Sequence, residues 1–170
     1  NPADYHKVFN PGRQPEALRF IMNTWSGIYR RDFLEKYGIR HHETPGASYQ
    51  DISFAIQVWL HAKRVYLIEK AVLHYRRDNP SASMNNPAKL FCVFDEYEWI
   101  EEKFRGIWQD DSLVERYFVA AKYRDYFNHY YRVGIQYQYP LLLRLGESFR
   151  MDKEKGRIWQ EAFLKAVWQN

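Results

Sequence analysis

The sequence predicts an α+β fold in which helix predominates: a short-stranded α/β half over residues 1–86, followed by a helical region over 87–170 that packs on it. Three observations carry this. Turn-forming Pro, Gly, Asn and Ser punctuate the first half at short intervals. The β-rich runs found there are brief. Beyond Pro87, apolar residues step by three and four with few breaks, the spacing of amphipathic helices.

Taken in order, residues 1–14 read as a loop, and Pro15 suits the first turn of a short helix over 15–22. An extended piece around Gly27 to Tyr29 leads into a helix of about two turns, which Gly38 is placed to end in a left-handed cap. "IRHHE" (39–43) reads as a short strand, stopped by the turn chemistry of Thr44-Pro45-Gly46. Ile52, Ala55, Ile56 and Trp59 then define one face of a helix. Two β-rich runs follow, Arg64 to Ile68 and Ala71 to Tyr75, with a polar break at Glu69-Lys70, and 77–87 is a loop. A long helix follows, with Leu90, Val93, Phe94, Tyr97, Ile100, Phe104 and Ile107 on its apolar face. A second, after Asp111-Ser112, has Leu113, Tyr117, Ala120, Ala121, Phe127 and Tyr131 inward. "YPLLLRLGESF" and "RIWQEAFLKAVW" predict two more helices with a turn near Gly156.

The 170 residues are 46% hydrophobic and 27% charged, a globular composition and not a disordered one. The aromatic share of 18%, with 14 Tyr and 6 Trp, exceeds what a core requires and places some rings at a surface or in a cleft. A net charge of +4 is too small and too scattered for a nucleic-acid binder, though it suits a phosphate-bearing ligand or an anionic surface. The single cysteine, Cys92, excludes an internal disulfide and reads as a core thiol. No apolar run reaches membrane-spanning length, and a cytoplasmic protein is expected. The opening at Asn1, without Met, reads as a piece of something longer.

Motifs of self-contained enzymes are missing: no glycine-rich phosphate loop, no H-E-x-x-H, no G-x-S-x-G, no paired cysteines and no Asp-x-Asp. Asp51, after the turn in "ETPGASYQD", has two readings. Ser48-x-x-Asp51 fits a helix-capping pattern; equally, a carboxylate at a helix start beside a Pro-Gly turn fits a general base. In "HYRRDNPSAS", His74 and Arg76 fall on one side of a strand end, suiting a diphosphate or carboxylate, or else a solvated strand end. His41-His42-Glu43 is set aside as a metal site, because neighbours on a strand face opposite ways. The Tyr- and Arg-rich stretch "RYFVAAKYRDYFNHYYRVG" reads as a packing helix, its basic residues forming no stripe.

Together, "GIYRRDFLEKYGI", "ETPGASYQD", "AKRVYLIEK" and "HYRRDNPSAS", in this order and spacing over roughly 20–85, resemble the second half of the catalytic domain in family 2 glycosyltransferases, particularly bacterial enzymes of capsule, lipopolysaccharide and exopolysaccharide assembly. The resemblance implies the C-terminal, acceptor-side half of a GT-A domain over 1–86, the nucleotide-sugar site and its Asp-x-Asp lying in an N-terminal half. It implies that Asp51 acts as base, and that Gln50 stands where many members have Glu. Trp25 and Tyr49 would lie near the acceptor. His74 and Arg76 would lie near the leaving diphosphate, with His74 a candidate contact for Mn²⁺ or Mg²⁺ held mainly by the other half. Expected partners are a nucleotide-sugar donor, a saccharide or lipid-linked acceptor, the N-terminal half and the inner membrane face. The competing expectation is a non-catalytic helical module that docks a partner domain or a membrane.

Overall fold

A computed structural model describes residues 5–19, 23–44, 48–74, 89–108 and 112–158. The fold is α+β and predominantly helical, with one small sheet. Strand β1 (Val8–Phe9) pairs antiparallel with β2 (Val65–Tyr66), Val8 opposite Tyr66 and Phe9 opposite Val65. Three short 3-10 helices, Pro11–Arg13, Pro15–Arg19 and Thr24–Ser26, lie between β1 and α1; the second begins at Pro15 where a short helix over 15–22 is expected, and residues 20–22 lie outside the described residues. Helix α1 (Arg31–Lys36) ends as its sequence predicts, Gly38 taking φ +61° after the last turn.

Helix α2 (Gln50–His61) is the centre of the first half, and it is more deeply set than one apolar face requires. Ser53 through Trp59 are all buried. Ile56 and Trp59 enter a large cluster with Phe9, Leu18 and residues of the later helices. Phe54, Val58 and Ala62 enter a smaller one with Ile39, under Tyr29, Phe33 and Leu34. One helix thus serves two cores, and every side must be apolar or satisfied.

That arrangement overturns the strand expected at 39–43, which is irregular. The Gln57 amide of α2 does a neighbouring strand's work there. Arg40 N–H donates to Gln57 Oε1 at 3.3 Å, and Gln57 Nε2 donates to the Arg40 carbonyl at 2.8 Å. With those backbone groups satisfied, nothing requires a sheet partner. The second β-rich run is corrected too: residues 71–74 form no strand and are exposed, and Tyr75 lies outside the described residues.

Helices α3 (Cys92–Trp108), α4 (Ser112–Arg132) and α5 (Ile135–Glu154) form the second half. On α3 the expected Val93, Phe94, Tyr97 and Ile100 are buried, but Ile107 is half exposed. Trp108 turns inward in its place and packs on Phe118, ring centroids 4.9 Å apart. Cys92 is only partly buried. On α4, Ala120 and Ala121 are buried as expected, while Leu113 and Tyr131 are exposed. The periodicity misleads at these ends because α4 also buries charge: Lys122, Arg124 and His129 are inside.

Lys122 and Arg157 explain much of that. Lys122 Nζ lies 2.6 Å from Asp152 and 2.9 Å from Glu101, and Arg157 lies 2.7 and 2.8 Å from the same carboxylates. Tyr123 donates to Asp152 at 2.8 Å. Burial alone would raise the Glu101 carboxyl, yet Lys122 and Arg157 hold it below its ordinary range. Helix α5 carries Pro140, which offers no amide to the Gln136 carbonyl, and Gly156 (φ +68°) turns the chain at its end. The main core runs unbroken from Phe9, Leu18 and Ile56 through Tyr97, Tyr126 and Leu141, joining both halves of the chain. The helix expected over "RIWQEAFLKAVW" lies largely outside the described residues.

Candidate functional site

Asp51 stands at the second position of α2, in its first turn. The capping pattern read from Ser48-x-x-Asp51 is realised in half: the Asp51 carboxylate takes the amides of Asp51 and Ile52 in the first turn, but Ser48 is not the cap. Ser48 is buried, and the residue at the helix boundary is Tyr49, whose side chain makes no cap bond. Tyr49 has φ +63° and ψ +2°, the left-handed region that a residue with a bulky side chain occupies at a cost of about 1–3 kcal/mol. Something has to hold it there.

The holder is His129 on α4. Tyr49 O–H lies 2.5 Å from His129 Nδ1, with the two rings edge to face at 5.2 Å. On the far side, His129 Nε2 lies 2.8 Å from the Leu90 carbonyl. A carbonyl only accepts, so Nε2 carries the hydrogen; in the neutral ring Nδ1 is then the acceptor and Tyr49 the donor. The protonation states agree with this. Burial pushes the His129 ring below the ordinary histidine range, the Leu90 carbonyl opposes that, and the charge of Arg132 adds to it. Burial is also the main cause holding the Tyr49 phenol well above its ordinary range. A neutral chain thus runs from Tyr49 through His129 to Leu90 and ties the start of α2 to the helical half.

The Asp51 carboxyl is also held above the ordinary aspartate range. Desolvation is the largest cause, and the Asp125 charge adds to it; the amides of Asp51 and Ile52 and the ring of His41 pull the other way. Asp125, on α4 one turn before His129, is itself fixed by Tyr97, whose hydroxyl donates to Oδ2 at 2.6 Å, and by Arg124 at 2.9 Å. His41 donates from Nδ1 to the Gln50 carbonyl at 3.3 Å and stacks on Phe54 at 4.8 Å. Its neighbour His42 goes elsewhere, stacking on Trp99 at 4.2 Å and reaching the buried Glu96 at 2.8 Å. The two histidines diverge, although not on a strand.

Of the other expected site residues, Trp25 lies on the 3-10 turn Thr24–Ser26, which packs against α2, and it leaves much of its ring in solvent. His74 is exposed on the stretch after β2 and makes no hydrogen bond to the Asp51 cluster. Arg76 lies outside the described residues. The structure therefore joins Tyr49 and Asp51, and adds His41, which the sequence offers only in a rejected metal site, with Asp125 and His129, which it does not single out. The signal available for the last two was their spacing of four on one helix face.

Among the described residues no three His, Cys, Asp or Glu side chains come together as a metal would require, and no helix is long and apolar enough to cross a membrane. No family model, no curated protein and no solved structure matches the chain.

Proposed function

We propose that the chain is the acceptor-side half of an inverting, nucleotide-sugar-dependent glycosyltransferase of surface-polysaccharide synthesis, with Asp51 as its general base. The observation that supports this best is the environment of Asp51. It is a carboxylate in the first turn of a buried helix, with a raised affinity for a proton, beside a tyrosine held in a strained conformation. The motif resemblance selects the same residue.

In this reading an acceptor hydroxyl oxygen attacks the anomeric carbon of the donor on the face opposite the diphosphate. The carbon–oxygen bond to the diphosphate breaks and its electron pair leaves with the diphosphate. The hydroxyl proton passes to Asp51, general-base help worth about 10²–10⁴ in rate. Tyr49, its hydroxyl committed to His129, offers the acceptor a ring face, as does the exposed ring of Trp25. His74, in solvent, is free to meet a diphosphate, and Arg76 would share that charge. The reading assigns the divalent cation mainly to the nucleotide-binding half, with His74 a candidate contact, and routes no step through it.

In an enzyme carrying both halves, Asp51→Asn should lower kcat at least about a hundredfold with little change in donor binding. Unchanged turnover would remove the base role. For this chain alone, calorimetric titration with uridine and guanosine diphospho-sugars plus Mn²⁺ should give no low-micromolar binding; such binding would move the nucleotide site into these residues.

A further inference from the structure

Helix α5 has two apolar faces. Leu141 and Leu145 are buried on one. On the other, Ile135 is 83% exposed, Tyr139 71%, Leu142 49% and Leu143 53%. At about 100° per residue these four fall within one sector of the helix over a length of about 12 Å, and Gly146 continues it. Side chains of this size, side by side and in water, need an explanation that scattered surface residues do not.

Charge on the same sector narrows what covers it. Continuing the helical spacing along α5, exposed Arg150 and Lys153 follow the apolar residues on this sector. Of the exposed carboxylates on α5, Glu147 is paired with Arg144 and Glu154 comes only after Lys153. A second copy of the chain is disfavoured by this pattern. Packed parallel, each cation would meet its own kind, and packed antiparallel, Arg150 and Lys153 would lie over the partner's uncharged Ile135 end, with no carboxylate opposite. An apolar strip continued by two cations fits a surface that is anionic above and apolar just beneath.

We propose that α5 lies in the plane of an anionic lipid bilayer, with Ile135, Tyr139, Leu142 and Leu143 in the acyl boundary and Arg150 and Lys153 against the headgroups. The helix stays folded on its own core by Leu141, Leu145 and Asp152, so docking needs no rearrangement of the fold. This inference does not depend on the transferase reading.

The test is flotation of the full chain with vesicles of phosphatidylcholine alone and of phosphatidylcholine with phosphatidylglycerol, at low and high salt. The wild-type chain should float with the anionic vesicles at low salt, at least about tenfold more than with neutral ones, and be released by salt. Leu142→Glu combined with Leu143→Glu should abolish flotation while circular dichroism and Tm stay unchanged, since both residues are exposed. Arg150→Glu with Lys153→Glu should weaken it and flatten the salt dependence. Absence of lipid-dependent flotation at low salt would overturn the proposal, as would flotation indifferent to the Leu142/Leu143 pair. A dimer in analytical ultracentrifugation that the Leu142/Leu143 variant splits, without lipid binding, would assign the face to a second copy instead.

Discussion

Asp51 is asked to be ionised by its proposed chemistry and is discouraged from it by its surroundings. Its carboxyl sits above the ordinary range because burial and Asp125 oppose the charge. A folded-state pKa above the unfolded value means that ionised Asp51 costs stability at neutral pH, a cost removed as pH falls through the folded pKa. Asp51→Asn should therefore leave Tm unchanged or raise it. A residue present only to favour the helix dipole would instead lose about 0.3–1 kcal/mol on that change, and thermal melts at pH 7 distinguish the two. His129 gives the opposite pH signature. Its folded pKa lies below the unfolded value of about 6.5, so the stability tied to its neutral ring is present above that value and lost as pH falls from it toward the folded pKa. The groups around it are Tyr49, the Leu90 carbonyl and Arg132. His129→Gln should keep the fold near neutrality and lose that part of the acid-side slope in urea titrations at graded pH. The position of Asp51 in the first turn of a helix was legible in the sequence because a turn and a helix start are local signals, whereas Tyr49 entered only through the motif resemblance. His129 and Asp125 were not, because they reach the turn only through the packing of α4 against the first half.

At the scale of the elements, legibility follows whether burial was one-sided. Helix α3 could be read from spacing because Val93, Phe94, Tyr97 and Ile100 share a face over apolar neighbours. Helix α4 could be placed but not oriented, since Lys122 and Arg124 go inside where a periodicity argument puts polar residues outside. The strand expected at 39–43 failed for a related reason: its backbone partner is the side chain of Gln57, seventeen residues away. The ion cluster of Lys122, Arg157, Glu101 and Asp152 is what lets α4 bury charge, and it links α3, α4 and the turn after α5. Asp152 is its hub, taking Lys122, Arg157 and Tyr123 at once. Asp152→Ala leaves two buried cations short of an acceptor and should cost about 3–5 kcal/mol, read as a lower urea midpoint. Asp152→Asn, which can still accept, should cost less; equal costs for the two would mean that packing and not charge carries the contribution.

The whole molecule is built around a helix with no outside. Between Ser53 and Trp59, α2 offers no residue to solvent, and the surfaces that cover it come from both halves: Phe9, Leu18 and the 3-10 turns from the first, α3 from the second. The sequence divides near residue 86 by composition, yet the core does not divide there. The small sheet cannot stand in for the helices, because two strands of two residues each bury too little to hold a fold. Cutting the chain after Asn86 would remove Phe94, Tyr97 and Tyr126 from the core that Ile56 and Trp59 share with them, and deprive Tyr49 of the histidine that keeps it in the left-handed region. Residues 1–86 alone should then be insoluble or lack a cooperative melt, and mixing with residues 87–170 should restore one only if the two pieces refold together. A soluble 1–86 fragment with a sharp thermal transition would show that α2 is stable without the helical half, and that the tie through His129 is an accessory to the fold and not a condition of it.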